Sequence, residues 1–347
     1  MKQKAVLESA NLSSWLAGIA AKSRLMAPTK KGRVSYAFSW VEDPGDVCLD
    51  YVRTVLPAKQ ALLPSREQLL TLRRDPYEAS PVIPDEPFVL FGAHPCDLTA
   101  INQLDWSMLQ RHNVEDPVYL ARRKAGTIVG VECLPDEYCF CSSVGSGETK
   151  EGADVFLTPI AGGYLVETLT DKGADLVRAA TVRPAQPAEV EEAEAWPEEK
   201  KRRIRLKLEA EVADLPALFD ERHESEVWQT TSERCYGCGT CTNVCPTCFC
   251  FEVAEQPDLS LASASRWRQY DSCQFGDFAL VAGGHNFRGE RVDRVRHRWF
   301  RKFVYLNREH GRPFCVGCGR CSQQCTAGIS LVDVINSVVA EAKEGVA

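Results

Sequence analysis

The sequence predicts an α+β protein in three parts. These are an N-terminal α/β domain over residues 1–180, a helical connector over 181–228 and a helix-rich C-terminal domain over 229–347. Three observations lead there. Short apolar runs alternate with helical periodicity in the first part, charged residues crowd the middle, and cysteine density rises sharply from Cys235 onward.

Leu12, Trp15, Leu16 and Ile19 fall at i, i+3, i+4 and i+7, which predicts a helix over 9–22. Val34–Trp40 is rich in aromatic and β-branched residues and reads as a strand. Arg66–Arg73, behind Pro64 and Ser65, reads as a short helix. The run PFVLFG at 87–92 has the continuous apolar character of a buried strand. Leu98, Ile101, Leu104 and Leu109 then give helical spacing over 97–110, and TIVGV at 127–131 is a second buried strand. Strand, helix, strand in that order builds an α/β layer. Val155–Thr158 and Tyr164–Glu167, joined through Ala161-Gly162-Gly163, read as a hairpin. Residues 188–215, dense in Glu, Ala, Lys and Arg, read as an exposed helical connector.

The chain has 347 residues, 44% hydrophobic and 26% charged, enough to bury a core in two domains. A net charge of −7 argues against nucleic acid as the main partner. Leu12–Met26 is broken by Lys22 and Arg24, with Glu8 upstream, so it does not read as a secretory signal. No run approaches the roughly 20 apolar residues of a membrane span, and a cytoplasmic location is expected. In that reducing compartment 16 cysteines point to metal rather than to disulfides.

Cys235, Cys238, Cys241 and Cys245-Pro246 fit C-x2-C-x2-C-x3-C-P, and Cys315, Cys318, Cys321 and Cys325-Thr326 repeat it. In this ferredoxin pattern three cysteines of a run bind one [4Fe–4S] cluster and the fourth binds the other. The expected ligand sets are therefore Cys235, Cys238, Cys241 and Cys325 for the first cluster, and Cys315, Cys318, Cys321 and Cys245 for the second. Gly237, Gly239, Gly317 and Gly319 free the backbone to aim N–H groups at sulfur. The rival occupant is zinc, which uses pairs of C-x2-C and leaves the third and fourth spacing without a purpose. Thr326 replaces the usual proline, which is not a ligand.

Cys96 follows the first buried strand and Cys133 ends the second, with Cys139 and Cys141 close behind. Neighbouring parallel strands bring their C-terminal ends together, where α/β folds place ligands. The four thiols are candidates for a third [4Fe–4S] cluster; the alternative is that they are small buried hydrophobes. Cys248, Cys250 and Cys273 are one short of a cubane and read either as core residues near the second cluster or as ligands of a shared site. Cys48 reads as structural. Arg291, Arg294, Arg296, Arg298, Arg301 and Lys302 form a basic run. It reads most plainly as a solvated helix face, with partner docking or the offsetting of cluster charge as alternatives. His94 and His285 read as loop histidines that could reach a cluster. Gly145-Ser146-Gly147 is too short for a phosphate loop, and there is no Rossmann or Walker fingerprint and no nucleophile-and-base pair. The chain offers a route for electrons and no evident catalytic apparatus.

Residues 89–105 (VLFGAHPCDLTAINQLD), 116–123 (DPVYLARR) and 127–147 (TIVGVECLPDEYCFCSSVGSG) resemble one family. So do the cysteine runs, linked through PTCFCFEV, DSCQ and AGGHNFR. The family joins the A-type subunit of anaerobic sulfite reductase with the sulfhydrogenase beta subunit. Both are 4Fe–4S dicluster proteins, and the resemblance covers most of residues 60–335. It implies a non-catalytic relay between a diaphorase-type subunit binding flavin and NAD(P) and a terminal catalytic partner. The terminal partner implied is a sulfite reductase, a nickel–iron hydrogenase or sulfur reductase, or a heterodisulfide reductase. The resemblance also implies that the eight cysteines of the two runs carry the clusters. Two other readings compete. In one the N-terminal domain binds a flavin and itself exchanges electrons with a pyridine nucleotide. In the other the chain is a zinc-stabilised interaction module.

Overall fold

The structure is a computed structural model and describes residues 4–344. Its twelve strands are β1 (Lys4–Glu8), β2 (Arg24–Lys30), β3 (Tyr36–Trp40), β4 (Arg66–Arg73), β5 (Glu78–Pro81), β6 (Phe88–Ala93), β7 (Gly126–Val131), β8 (Val155–Ile160), β9 (Gly163–Thr168), β10 (Arg183–Pro184), β11 (Phe251–Pro257) and β12 (Ser263–Tyr270). Eight of them form one sheet in the order β10-β1-β9-β8-β7-β6-β2-β3, and four form a second, β11-β12-β4-β5.

The centre of the large sheet is parallel: β2, β6, β7 and β8 run together. Parallel strands are covered on both faces, so β6 is buried at every residue. Alternation sorts its side chains. Val89 and Phe91 join Trp15, Leu16 and Ile19 of the first helix, α1 (Ser9–Ala20). Phe88 and Leu90 face the other way, onto Leu98, Ile101 and Leu104 of α2 (Pro95–Asp105). The expected hairpin is present, with Leu157 opposite Val166. The helix expected to end at Gln110 closes with a π-helical turn over Trp106–Gln110.

Two expectations need correction. Arg66–Arg73 is a strand, not a helix. Glu, Gln, Leu and Arg favour helix, but eight residues cannot sustain one without packing, and the ladders to β12 and β5 satisfy the backbone instead. The stretch 188–215 is helical only over Pro187–Glu194 and Trp196–Arg203 in its first part, and it is not simply exposed. Lys200 is 2% exposed, drawn inward by charge described below.

The C-terminal part has its own core. Trp228, Trp299, Phe300 and Phe303 pack with Leu331, Ile335 and Val338 of the last helix, Leu331–Glu344. It is nonetheless built onto the N-terminal part. β12 pairs with β4, and the buried Arg268 guanidinium joins Glu67 of β4 at 2.8 Å and also binds Asp116. No helix among the described residues is long and apolar enough to cross a membrane.

Candidate metal centres

The two cysteine runs fold alike. Gly237 and Gly239 have φ of +67° and +74°, Gly317 and Gly319 of +59° and +73°. Each second glycine starts a one-turn helix, Thr240–Asn243 or Arg320–Gln323, which carries the third cysteine of its run. Each fourth cysteine is followed by a turn; in the second the Gly328 N–H closes on Cys325 O at 2.9 Å with a left-handed φ of +64°. As expected of such loops, the Gly237 N–H donates to the Cys235 sulfur at 3.3 Å.

The fourth cysteines cross over. A cavity of about 550 Å³ is lined by Cys235, Cys238, Cys241, Cys321 and Cys325, with Val295, Trp299 and Leu331 as apolar wall. Cys245, from the first run, lies instead close enough to Cys315 and Cys318 to disfavour their ionisation. Burial is the larger cause there and pushes Cys315 up to about 12 and Cys318 up to about 11. Burial likewise takes Cys241 up to about 12. Such thiols keep their protons until a metal replaces them, so loading these sites releases protons.

The four N-terminal thiols also converge. Cys96, Cys133, Cys139 and Cys141 line a cavity of about 410 Å³ with His94, Arg53, Lys200 and Arg320. Cys96 opens α2, just past the end of β6, and Cys133 stands just past the end of β7. Cys139 and Cys141 come from the loop that follows. This loop lies against the second cysteine run: the Phe140 N–H donates to Gly317 O at 2.9 Å. The Ser146 hydroxyl donates to Val316 O at 2.6 Å. Cys318 thus borders the N-terminal cavity as well.

Cations, each under a tenth exposed, face all three groups of thiols. Arg298 lines the first cavity, and its Nε and Nη2 have no hydrogen-bond partner. Burial opposes its charge, but Cys241, Cys321, Cys248 and Cys245 together hold its pKa well above the usual value. Lys302 donates to the Cys245 sulfur at 3.2 Å and to Thr247 Oγ1 and Phe314 O at 3.0 Å. In the N-terminal cavity Arg53 pairs with Asp136 and donates to the Cys139 sulfur at 3.2 Å, while its Nε and Nη1 have no partner; Arg298 is the guanidinium with no carboxylate beside it among the described residues. Lys200 pairs there with Glu132, and Arg320 with Asp97 at 3.0 Å. Burying a guanidinium without partners costs several kcal/mol, on the order of the penalty for any unpaired buried charge. An anionic occupant removes that cost. A [4Fe–4S] core on four thiolates is such an occupant, so these residues fit it. Among the described residues no three His, Cys, Asp or Glu side chains converge at single-metal distances. The thiols ring cavities instead.

The basic run is therefore not a solvated face throughout. Arg298 and Lys302, four residues apart on the helix Arg291–Phe300 and its π-helical extension, are both buried against sulfur. His94 lies in the wall of the N-terminal cavity, stacked on Tyr51 at 4.1 Å, and burial keeps it neutral. His285 is exposed beside Phe287, away from every thiol cavity. Cys48 lines none of the cavities described here, its sulfur donating to Asp50 O at 3.5 Å. The cations Arg53, Lys200 and Arg320 were not legible as site residues. Only Arg320 carried a signal, a charge set between two cysteines of a run.

Residues 234–329 match the family model of the 4Fe-4S dicluster domain. The chain is 40% identical over 304 residues to sulfhydrogenase 2 subunit beta of Pyrococcus furiosus, covering 88% of this chain and 89% of that relative. No solved structure gives a significant match. The dicluster match and the near full-length likeness converge: the chain belongs to the sulfhydrogenase beta subunit family, as an iron–sulfur electron-transfer subunit.

Proposed function

We propose that the chain relays electrons over three [4Fe–4S] clusters between a diaphorase-type subunit that binds flavin and NAD(P) and a terminal reductase. Cys235, Cys238, Cys241 and Cys325 hold the first cluster; Cys315, Cys318, Cys321 and Cys245 the second; Cys96, Cys133, Cys139 and Cys141 the third. When bound, the clusters supply one-electron transfer. Of the terminal units considered, the relative's name favours one of the hydrogenase type.

The observation that carries this reading is the orphaned Arg298 guanidinium, buried among thiols from both runs. Arg298 and Lys302 hold negative charge between the two dicluster sites, and Arg53 and Lys200 do so in the third. The Gly237 N–H donates to the Cys235 sulfur, and the Thr240 side chain and then its backbone N–H favour the Cys238 thiolate. At the exposed Cys238 the first site reaches the surface. The contact of Phe140 with Gly317 keeps the third site against the second.

Iron and acid-labile sulfide per chain, on anaerobically purified protein, test this count. About twelve irons are expected, with EPR of interacting cubanes after reduction. About eight would remove the third cluster, and near zero in reconstituted protein would end the relay reading.

One observation favours a second reading. A cleft of about 1030 Å³ beside Cys133 is lined by Tyr36, Tyr51, Tyr164 and Trp196. Its rings suit a planar isoalloxazine, although its charged lining residues, Asp50 and Glu132, are acidic and suit no pyrophosphate. A yellow cofactor released from the pure chain would favour a flavin-binding oxidoreductase that acts on a pyridine nucleotide itself.

A further inference from the structure

Three thiols remain outside the twelve assigned to clusters and Cys48. Cys248, Cys250 and Cys273 share a cavity with Arg298, Arg301 and Lys302. Cys248 is turned toward Cys245 and donates its S–H to that sulfur. The other two are brought together by the strand ladder. Cys250 immediately precedes β11 and Cys273 follows the end of β12, whose Tyr270 pairs with Phe251. The Asp271 N–H closes this end of the ladder on Cys250 O at 3.0 Å.

The side chains of Cys250 and Cys273 hydrogen-bond each other, and the Cys273 backbone N–H also points at the Cys250 sulfur. Among the described thiols only Cys248 joins the pair in its cavity, so the group is one thiol short of the four a cubane needs. Two thiols within hydrogen-bond reach at the end of one ladder are placed for an S–S bond. The pair is also asymmetric. Cys250 is half-buried, whereas Cys273 is 3% exposed behind it. The Cys273 hydrogen bonds and then the Arg301 charge favour the Cys250 thiolate against its burial, and Cys273 keeps its proton.

We propose that Cys250 and Cys273 form a thiol–disulfide exchange site for small soluble disulfides, with Cys250 attacking and Cys273 resolving. The Cys250 thiolate attacks one sulfur of R–S–S–R, the S–S bond breaks and RS⁻ leaves. Cys273 gives its proton to that RS⁻ and attacks the Cys250 sulfur, expelling the second RS⁻. The two cysteines are oxidised by two electrons to a disulfide, and R–S–S–R is reduced to RSH and RS⁻. The reaction needs no cluster, so its outcome is separable from the relay reading.

The test uses the full chain, purified anaerobically with its iron, and bis(2-hydroxyethyl) disulfide as probe. After acid quench and alkylation, peptide mass mapping is expected to find one linked pair, Cys250 to Cys273, reversed by dithiothreitol. C273S is expected to accumulate the hydroxyethyl adduct on Cys250, C250S to form none on Cys273, and both to keep wild-type iron. The proposal is overturned if both cysteines of the wild type still alkylate in excess probe. It is overturned equally if either variant loses about four irons per chain, since that makes the residue a cluster ligand. Should a variant fail to fold, the wild-type map alone decides.

Discussion

Three of the five thiols lining the first cavity come from a single tight loop, Cys235 to Cys241, and Cys321 and Cys325 arrive from the second run. The four at the N-terminal cavity come from two strand ends and a following loop, and part of their wall is borrowed from the second cysteine run through Gly317, Cys318 and Arg320. One kind of site is written locally, in spacing; the other exists only once the parallel sheet has formed and the C-terminal part has closed on it. Both place buried cations against thiols: Arg298, with two nitrogens unpartnered, at the first, and Arg53, which also pairs with Asp136, at the N-terminal one. The lesson is that buried cations among thiols mark such cavities where cysteine spacing alone does not.

That comparison breaks most visibly if the N-terminal site is empty. Replacing Cys133 and Cys141 together by Ser should lower iron from about twelve to about eight per chain while leaving the EPR of the paired sites. Unchanged iron would return those thiols to the core. Next in size is a contrast between two equivalent glycines. A Cβ on Gly317 would meet the Cys141 backbone N at 2.5 Å, whereas one on Gly237 meets only Gln274 O at 3.5 Å. Gly317→Ala should therefore cost about 1–3 kcal/mol beyond Gly237→Ala, which carries only the left-handed backbone penalty. Denaturant midpoints of the two variants give the difference, and equal values would mean that the N-terminal loop does not press on the second run.

The cations separate the sites in a third way. Arg298→Gln should lower the potentials of the paired clusters by roughly 60 mV, a tenfold factor for a one-electron couple, and Arg298→Lys should recover much of it. Arg53→Gln should move the third most and the second less, through Cys318. Redox titration followed by EPR resolves these, and a uniform shift from either change would show that the charges act on the whole molecule. Smallest is Thr326→Pro, which restores the usual residue after the fourth cysteine. Because residue 326 is not a cluster ligand, the melting temperature should change by only the few degrees that about 1 kcal/mol allows.

Legibility in the sequence follows range. The cysteine runs, the helix at 9–22, the strands around Leu90 and Val129 and the hairpin at 155–167 are set by neighbours a few residues away, and each lies where periodicity and turn chemistry put it. The convergence of Cys96, Cys133, Cys139 and Cys141 could be argued from strand ends, because parallel strands have a common edge. Arg66–Arg73 misled because its local propensity is helical, while its partner strand lies nearly 200 residues away, with Glu67 bonded to Arg268 across 201 positions of sequence. Lys200 misled for the same reason: in a run of charges nothing marks the one side chain that Glu132 and the N-terminal thiols draw inside.

The ladder between β4 and β12 has a consequence for dissection. A piece cut out at residue 229 would carry every cysteine of both runs, yet it would leave β12 with a bare edge. It would also strip Arg268, 3% exposed, of both Glu67 and Asp116. Gly317 would lose the backbone it rests on. The dicluster half is thus no portable module to be grafted onto other enzymes, and descent should have passed these two halves on as one indivisible piece.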